Sequence, residues 1–405
     1  MNADEEKAGL LTGIRVLDLG DEKAGFCSRL LADLGAQVIK VERPPGDPAG
    51  RHSPFPGKEG EPETSLSFLY HNSNKLGITL NLEQGEGRAL FRRLLKGRDV
   101  VVETFSSGYL EGLGLGYDRL QKENPGLILV TVSGFGLTGP RRSYKSSDLV
   151  ASAFGGHMSV TGTPEGPPLS LYGNQSYYAA SLFAACAILL ALRKRKETGE
   201  GRHLDISLQE AVTSTLEHVM IRYFFEKVIP GREGGGYGDH PFFVLSCKDG
   251  FIQMPLHQHW ETLVELMARD GAAEDLADER WQDQRFRTDH MDHVLEVVER
   301  WTGLFTMKDL FELGQAMRFP WAPVQAPEEI IGCPHLAKRG YFTKVERAGG
   351  NNPILFPGLP FRFSRPVGRR RTNAPAKGEH NHLIYQDELG LDEREIERLT
   401  SIGAV

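Results

Sequence analysis

The sequence predicts an α/β protein, with a parallel sheet in a large domain and a second, smaller α+β domain. Two patterns support this class. Short apolar runs typical of buried strands alternate with helical segments in the first half of the chain. A glycine-rich stretch at 231–242 then marks a change in composition. At 405 residues, the chain is long enough for two domains.

The large domain opens with a β-α-β unit. GIRVLDLG (13–20) and AQVIKVE (36–42) are compact apolar runs, and residues 24–34 between them have helical spacing. Such a start favours a parallel sheet with right-handed crossovers. The same alternation predicts a helix over 85–95, strands over 99–105 and 127–136, and a strand with a helix start over 201–212.

The second half has a different pattern. FFVLSCKDGFIQMPL (242–256) predicts a hairpin with its turn at Lys248–Gly250, and residues 260–317 are mostly amphipathic helix. The proline- and arginine-rich patch at 364–379 predicts a solvated linker. The predicted division is 1–224 for the first part of the large domain, 225–325 for the small domain and 326–405 for a segment that completes the large domain.

Charge and cysteine content indicate the compartment. The chain has 47 basic and 54 acidic residues, a net charge of −7, which argues against a general nucleic-acid binder. Its four cysteines are dispersed, as in proteins of a reducing compartment. The acidic start MNADEEKAGL does not resemble a signal peptide. The apolar segment 177–192 is short for a membrane span and predicts a buried core helix. A cytoplasmic protein without membrane partners is therefore expected.

Common cofactor motifs do not match. Gly20–Gly25, in the first turn of the predicted sheet, lacks the GxGxxG pattern, and the chain has no GxxxxGK[ST], HExxH or GxSxG. His257 and His259, or His290 and His293, have no supporting ligands nearby in sequence. We therefore expect no metal and no tightly bound cofactor.

Eight segments in order resemble the class III CoA-transferase family, also called CaiB/BaiF, which includes formyl-CoA transferase. The resemblance implies a Rossmann-like large domain and an interlocked dimer, with coenzyme A or an acyl-CoA as substrate. The segments are 13–19, 30–51, 72–82, 97–120, 124–140, 147–156, 196–212 and 327–342.

The resemblance also implies site residues. The positions that match the family's CoA contacts are Lys23, Ala24, Arg43, Asn74, Lys75, Phe105 and Lys145. A glycine loop that would cover reaction intermediates matches Gly234, Gly235, Gly236 and Gly238. One departure weakens the match, because Glu111-Gly112-Leu113-Gly114 lacks the arginine that commonly reaches the CoA phosphates. Whether this chain itself binds CoA is left open by that loss.

The family's nucleophile is missing. Its transferases use an aspartate at the start of the helix before the KxTGxG segment, and Asn174 or Gln175 occupies that position here. An amide cannot form the mixed anhydride, so no catalytic residue is expected in this chain. The histidine used by racemase members is replaced by Ser147, so racemisation lacks its bases as well.

Two interpretations follow from the missing aspartate. In the first, Asn174 and Ser176 cap the helix, and the chain is the non-catalytic subunit of a CoA-transferase whose homologous partner bears the aspartate. Benzylsuccinate CoA-transferase has such a subunit, which suggests succinyl-CoA as donor and (R)-benzylsuccinate as one candidate acid. In the second, the chain acts by itself, as a homodimer, in a CoA-ester lyase, dehydratase or isomerase reaction. A CoA-binding scaffold protein is a third alternative.

Overall fold

The computed structural model describes residues 9–44, 46, 65–234, 242–345, 353–364 and 372–405. The chain divides into two compact units. The first comprises the described parts of Met1–His157, Ser170–Glu217 and Ala337–Val405, and the second those of Met158–Leu169 and His218–Leu336. The predicted domain boundaries at 224 and 325 stay a prediction.

A six-stranded parallel sheet forms the centre of the first unit. Its strands lie in the order β3-β2-β1-β4-β5-β6. They are β1 (Arg15–Leu19), β2 (Gln37–Glu42), β3 (Leu76–Thr79), β4 (Val100–Glu103), β5 (Ile128–Ser133) and β6 (Arg202–Ser207). This is a doubly wound order, in which the chain direction across the sheet reverses between β1 and β4. The predicted α/β class with a parallel sheet is confirmed.

Helices cover both faces of this sheet, which explains why its strands are apolar on both sides. Leu17, Ile39 and Ile78 pack on one face, and Val16, Val38 and Val130 pack on the other. The helices up to β6 are α1 (Glu22–Asp33), α2 (Leu66–Asn72), α3 (Gly85–Leu95), α4 (Tyr109–Gly112), α5 (Tyr117–Glu123), α6 (Asp148–Gly155), α7 (His157–Val160) and α8 (Gln175–Thr198). After β6 come α9 (Leu208–Ser214) and α10 (Glu217–Glu226). All but the first residue of α7 and of α10 belong to the second unit.

The helix α8 corrects one expectation. The segment 177–192 was predicted as a buried core helix, but only one face of α8 is buried. Leu182 and Phe183 are half exposed, and Leu190 is 69% exposed. By length and composition alone, α8 could also cross a membrane, and half of its most apolar window is buried within the protein.

The second unit contains a three-stranded antiparallel sheet. It is formed by β7 (Phe242–Cys247), β8 (Gly250–Pro255) and β9 (Ala322–Pro323), so the predicted hairpin is confirmed. Its core contains Trp260, Trp281, Trp301 and Trp321. The helices are α11 (Trp260–Arg269), α12 (Gln284–Asp289), α13 (Met291–Thr302), α14 (Met307–Ala316), α15 (Pro327–Gly332) and α16 (Pro334–Lys338), with short 3₁₀ turns at Glu274–Ala277 and Glu279–Gln282.

The last part of the chain packs on the edge strand β3. It contains a hairpin of β10 (Phe342–Val345) and β11 (Ile354–Pro357), a π-helix (His382–Glu388) and α17 (Glu393–Ser401). The amide of His380 donates to the carbonyl of Gly77, and the Tyr385 hydroxyl donates to the carbonyl of Thr79.

These contacts correct the prediction of a solvated linker at 364–379. The amide of Asn74 donates to the carbonyl of Thr372, and the amide of Thr372 donates to Oδ1 of Asn74. A Cβ at Gly77 would lie 2.8 Å from Pro375. Residues 365–371 of the patch lie outside the described residues.

Candidate functional site

The carboxyl ends of β1 and β4 meet at the point where the sheet reverses its winding, which is where α/β sheets place ligands. Asp21 follows β1 and caps α1, its Oδ1 accepting from the amide of Lys23 at 3.0 Å. The amide of Asp21 donates to Thr104 Oγ1, just after β4, at 2.9 Å. This hydrogen bond joins the loop after β1 to the loop after β4.

Two of the predicted CoA contacts meet at this edge through a third residue, Tyr109. Arg43, which follows β2, donates to the Tyr109 hydroxyl at 3.0 Å. The rings of Phe105 and Tyr109 lie 4.5 Å apart. The Tyr109 hydroxyl in turn donates to Glu83 at 2.6 Å, and burial together with this bond raises the pKa of Tyr109 to about 12. The result is an exposed guanidinium beside an aromatic surface, a combination suited to phosphate and adenine groups.

Lys23 and Ala24 lie in the first turn of α1. The ammonium of Lys23 pairs with the carboxylate of Asp21 and remains partly exposed. Ala24 is fully buried, backbone included, so its predicted contact with CoA stays a prediction. A small cleft beside this turn is lined by Asp21, Glu22, Gly25, Lys40, Phe68, His71 and Asn72.

Lys75 lies in a buried polar cluster, away from any open surface. Its ammonium donates to Asp18 at 2.7 Å, Ser28 at 2.8 Å and Asn72 at 2.8 Å. Burial alone would raise the pKa of Asp18, but the charges of Lys75 and Lys40 and these hydrogen bonds hold it below its usual value. The geometry gives Lys75 a structural role, and its predicted contact with CoA stays a prediction.

Asn74 is also engaged within the protein. It adopts a left-handed backbone conformation with φ 66°. Its side-chain amide donates to Asp33 at 2.7 Å and accepts from the backbone of Thr372 at 2.7 Å. Asn74 therefore ties α1 to the last part of the chain, and a role in CoA binding stays a prediction.

The remaining predicted site residues are Lys145 and the glycine loop. Lys145 is exposed, in the loop between β5 and α6. Gly234 donates its amide to the carbonyl of Gly162 at 2.9 Å and has φ +66°. Gly235, Gly236 and Gly238 lie outside the described residues, so the predicted glycine loop stays a prediction.

Asn174 is the residue before α8, where the family's nucleophile was expected. Its carbonyl accepts from the amides of Tyr177 and Tyr178 at 3.1 Å each, but its side chain makes no capping hydrogen bond. The side chain of Gln175 donates to the carbonyl of Tyr172 at 3.0 Å. Neither residue supplies a carboxylate.

The cap comes from another helix. Asp148, the first residue of α6, accepts from the amide of Ser176 at 2.8 Å through its Oδ1. The Ser176 hydroxyl donates back to the carbonyl of Asp148 at 3.2 Å. The expectation that Asn174 and Ser176 cap α8 with their own side chains is therefore wrong. Asp148 instead accepts from the Ser176 amide, which has no acceptor within its own helix.

The comparisons with known proteins give the family. The model of CoA-transferase family III matches residues 11–381. This chain belongs to that family, as the sequence resemblance predicted. It is therefore an enzyme of the CoA-transferase kind, for which CoA thioesters are substrates.

Similar proteins extend along nearly the whole chain. The BbsE subunit of succinyl-CoA:(R)-benzylsuccinate CoA-transferase from Thauera aromatica is 33% identical, over 96% of this chain and 97% of that protein. Succinyl-CoA:mesaconate CoA-transferase from Haloarcula hispanica is 33% identical, over 95% and 97%. A CaiB/BaiF family protein from Brucella suis matches in structure with a TM-score of 0.85 and 29% identity, over 94% and 100%.

Three residues outside the predicted set make contacts at the predicted positions: Tyr109 and Glu103 beside Phe105, and Asp148 at the start of α8. Glu103 and Asp148 each had a signal, since an acidic residue ends an apolar strand in the first case and begins an apolar helix in the second. Tyr109 had none, because its contacts come from separate loops. Within the described ranges, no three His, Cys, Asp or Glu side chains form a group that could hold a metal.

Proposed function

We propose that this chain is the CoA-binding, non-nucleophilic subunit of a CoA-transferase that moves CoA from succinyl-CoA to a carboxylic acid. The covalent step belongs to a homologous partner subunit that carries the aspartate. (R)-Benzylsuccinate is the first candidate acid. The observation that carries the proposal is the amide side chain of Asn174 at the start of α8, because an amide cannot replace a carboxylate in anhydride formation.

The donor is supported by the relatives. Both curated relatives named above are succinyl-CoA-dependent transferases by name, and one of them is a subunit of a larger enzyme. The acids in the two names differ, so the relatives support the CoA donor more strongly than they support any one accepting acid. Arg43, Tyr109 and Phe105 supply a cationic and aromatic surface that suits the nucleotide end of CoA.

A partner chain is supported by apolar surface in each unit taken separately. In the first unit, α8 exposes Leu182, Phe183 and Leu190. In the second, α10 exposes Phe224 and Phe225, the latter 84% exposed. Contiguous exposed apolar side chains of this kind mark interaction surfaces. An interlocked dimer, formed with the aspartate-bearing homologue, would cover them.

The test is transferase activity of the purified chain, alone and after co-expression with a homologue that carries Gly-Asp at the position of Gly173-Asn174. We expect no CoA transfer from succinyl-CoA by the chain alone and transfer by the pair. Turnover by the chain alone would contradict the proposal. Consumption of a CoA ester without transfer would favour the lyase or isomerase alternative, and CoA binding without any turnover in either preparation would favour a scaffold role.

A further inference from the structure

A chain of polar side chains crosses three neighbouring strands beneath the loop that carries Phe105. Glu103 ends β4, Thr131 is its paired residue on β5, and His203 lies on β6. The Thr131 hydroxyl contacts Oε1 of Glu103 and lies 3.0 Å from Nε2 of His203. Glu103 is only 4% exposed and Thr131 1%. These groups satisfy one another because little water reaches them.

The second carboxyl oxygen of Glu103 holds the loop after β4 in place. Its Oε2 accepts from the amide of Phe105 at 2.6 Å, two residues further along the chain. Between these residues lies Thr104, whose hydroxyl accepts from the amide of Asp21 at 2.9 Å. A single buried carboxyl group therefore fixes the backbone of the β4 loop, and the β4 loop in turn contacts the start of α1.

Glu103, Thr131 and His203 form a hydrogen-bond relay. All its hydrogen bonds can be made in two protonation states. With a neutral Glu103, its O–H donates to Thr131, and Thr131 donates to the unprotonated Nε2 of His203. When Glu103 loses its proton to solvent, Thr131 donates to the carboxylate instead. Neutral His203 then shifts its proton from Nδ1 to Nε2 and donates to Thr131. Neither state leaves Glu103, Thr131 or Nε2 of His203 without a partner, so the carboxyl group can titrate in place.

The surroundings put this titration near neutral pH. Burial raises the pKa of Glu103 to about 7, although the hydrogen bonds from Thr131 and Phe105 and the charge of Lys23 oppose the rise and Glu111 adds to it. Burial lowers the pKa of His203, while Asp205, Glu111 and Asp118 face it and oppose this. The pKa of His203 is therefore shifted below its usual value, while that of Glu103 is shifted above its own.

We propose that Glu103 is a positioning residue that holds the Phe105 loop for CoA, and that ionisation of its carboxyl group tightens CoA binding. The inference rests on the proposed CoA-binding role of this chain. The direction follows from hydrogen-bond strength, because a carboxylate accepts from the amide of Phe105 more strongly than a neutral carboxyl group does. Lys23, which faces Glu103 from α1, favours the ionised form.

The experiment measures the dissociation constant of CoA by calorimetry between pH 6.0 and 8.5, with the full chain and its Glu103→Gln variant. Glutamine reproduces the neutral acid, with one acceptor for Phe105 and one donor for Thr131. We divide the CoA affinity of the wild type by that of Glu103→Gln at each pH. This ratio should rise about fivefold from pH 6.0 to 8.5. Titration of the CoA phosphates affects both proteins equally and cancels in the ratio. Glu261→Gln, which removes an exposed carboxylate on α11, should retain the wild-type profile.

A second variant tests the relay itself. Thr131→Val keeps the shape of the side chain but removes the hydroxyl that stabilises ionised Glu103, so the midpoint of the affinity change should move to higher pH. Identical pH profiles for wild type, Glu103→Gln and Thr131→Val would overturn the inference and leave CoA binding intact. Absence of CoA binding by the wild type at every pH would instead overturn the proposed function, and this inference with it.

Discussion

The carboxylate of Asp148 accepts a hydrogen bond of 2.8 Å from the backbone amide of Ser176, so the start of α8 is capped by a residue of another helix. A negative charge also suits the positive end of the α8 dipole. The amide side chain at position 174 therefore does not deprive the helix of its cap. The residue type at position 174 and the stability of α8 are separate matters in this protein.

Replacing Asp148 should destabilise the fold. In Asp148→Ala the buried amide of Ser176 loses its acceptor, so we expect the free energy of unfolding to fall by about 1–2 kcal/mol. Asp148→Asn keeps an acceptor and should cost less than half as much. Urea unfolding followed by circular dichroism measures both. Asp118→Ala, an exposed first-turn aspartate of α5, is the matched control, and an equal loss in that variant would contradict the capping role.

Asn174→Asp should restore the missing nucleophile. With succinyl-CoA present, we expect hydroxylamine or borohydride to trap an acyl-aspartate intermediate in the variant and not in the wild type. Mass spectrometry of the tryptic peptide measures it. Gln175→Asp places the same charge one residue later and serves as the control. Absence of trapping in a variant that binds CoA would mean that the acyl pocket has diverged as well.

Arg43 should contribute to affinity for the CoA phosphates. Arg43→Ala removes the guanidinium beside Tyr109, and we expect the dissociation constant of CoA to rise about tenfold at low salt and less at high salt. Calorimetry at two salt concentrations measures this. Arg394→Ala, on the exposed face of α17, should leave the constant unchanged. If both variants behave alike, Arg43 is not part of the CoA site.

The buried Lys75–Asp18 pair should support stability. Lys75→Met leaves the Asp18 carboxylate buried without its cation, which typically costs about 3–5 kcal/mol at neutral pH. Unfolding by urea measures the cost, and Lys122→Met on exposed α5 is the control. Unchanged stability with weakened CoA binding would instead make Lys75 a ligand contact.

The pH dependence of this pair has a definite sign. In the wild type the pKa of Asp18 lies below its usual 3.8, so the stability from the pair is complete above that pH and is lost as the pH falls through the lowered value. In Lys75→Met, burial without the cation should raise the pKa of Asp18. The cost of the substitution should then shrink as the pH falls, and a cost independent of pH would contradict this account.

The apolar face of α8 should mediate association. Leu190→Lys places a charge on the most exposed apolar side chain of the helix, so we expect the association constant with a partner chain to fall at least tenfold. Sedimentation velocity measures the oligomeric state. Lys122→Glu, an exposed position of α5, is the control. An unchanged association constant in Leu190→Lys would show that this face lies outside the interface.

Local patterns in the sequence were sufficient to predict most strands of the parallel sheet and the family. Five of the six parallel strands follow from compact apolar runs, and the helix Gly85–Leu95 has the predicted bounds. The edge strand β3 was missed, because Leu76–Thr79 is short and begins directly after the polar Asn74-Lys75 pair. The prediction that this chain lacks the nucleophile also comes from sequence, since it depends only on the residue type at Asn174.

The partners of the polar groups depend on tertiary structure. Lys75 matches a CoA contact of the family in sequence, and folding places its ammonium against Asp18, which is far from it along the chain. Asp148 and Ser176, or Thr131 and His203, likewise meet only through packing. The sequence by itself determined the fold class, the family and the amide at position 174, because these depend on local pattern and residue chemistry. Tertiary structure decided which charges are buried and paired, because hydrogen bonds join residues that are close in space, whatever their separation in sequence.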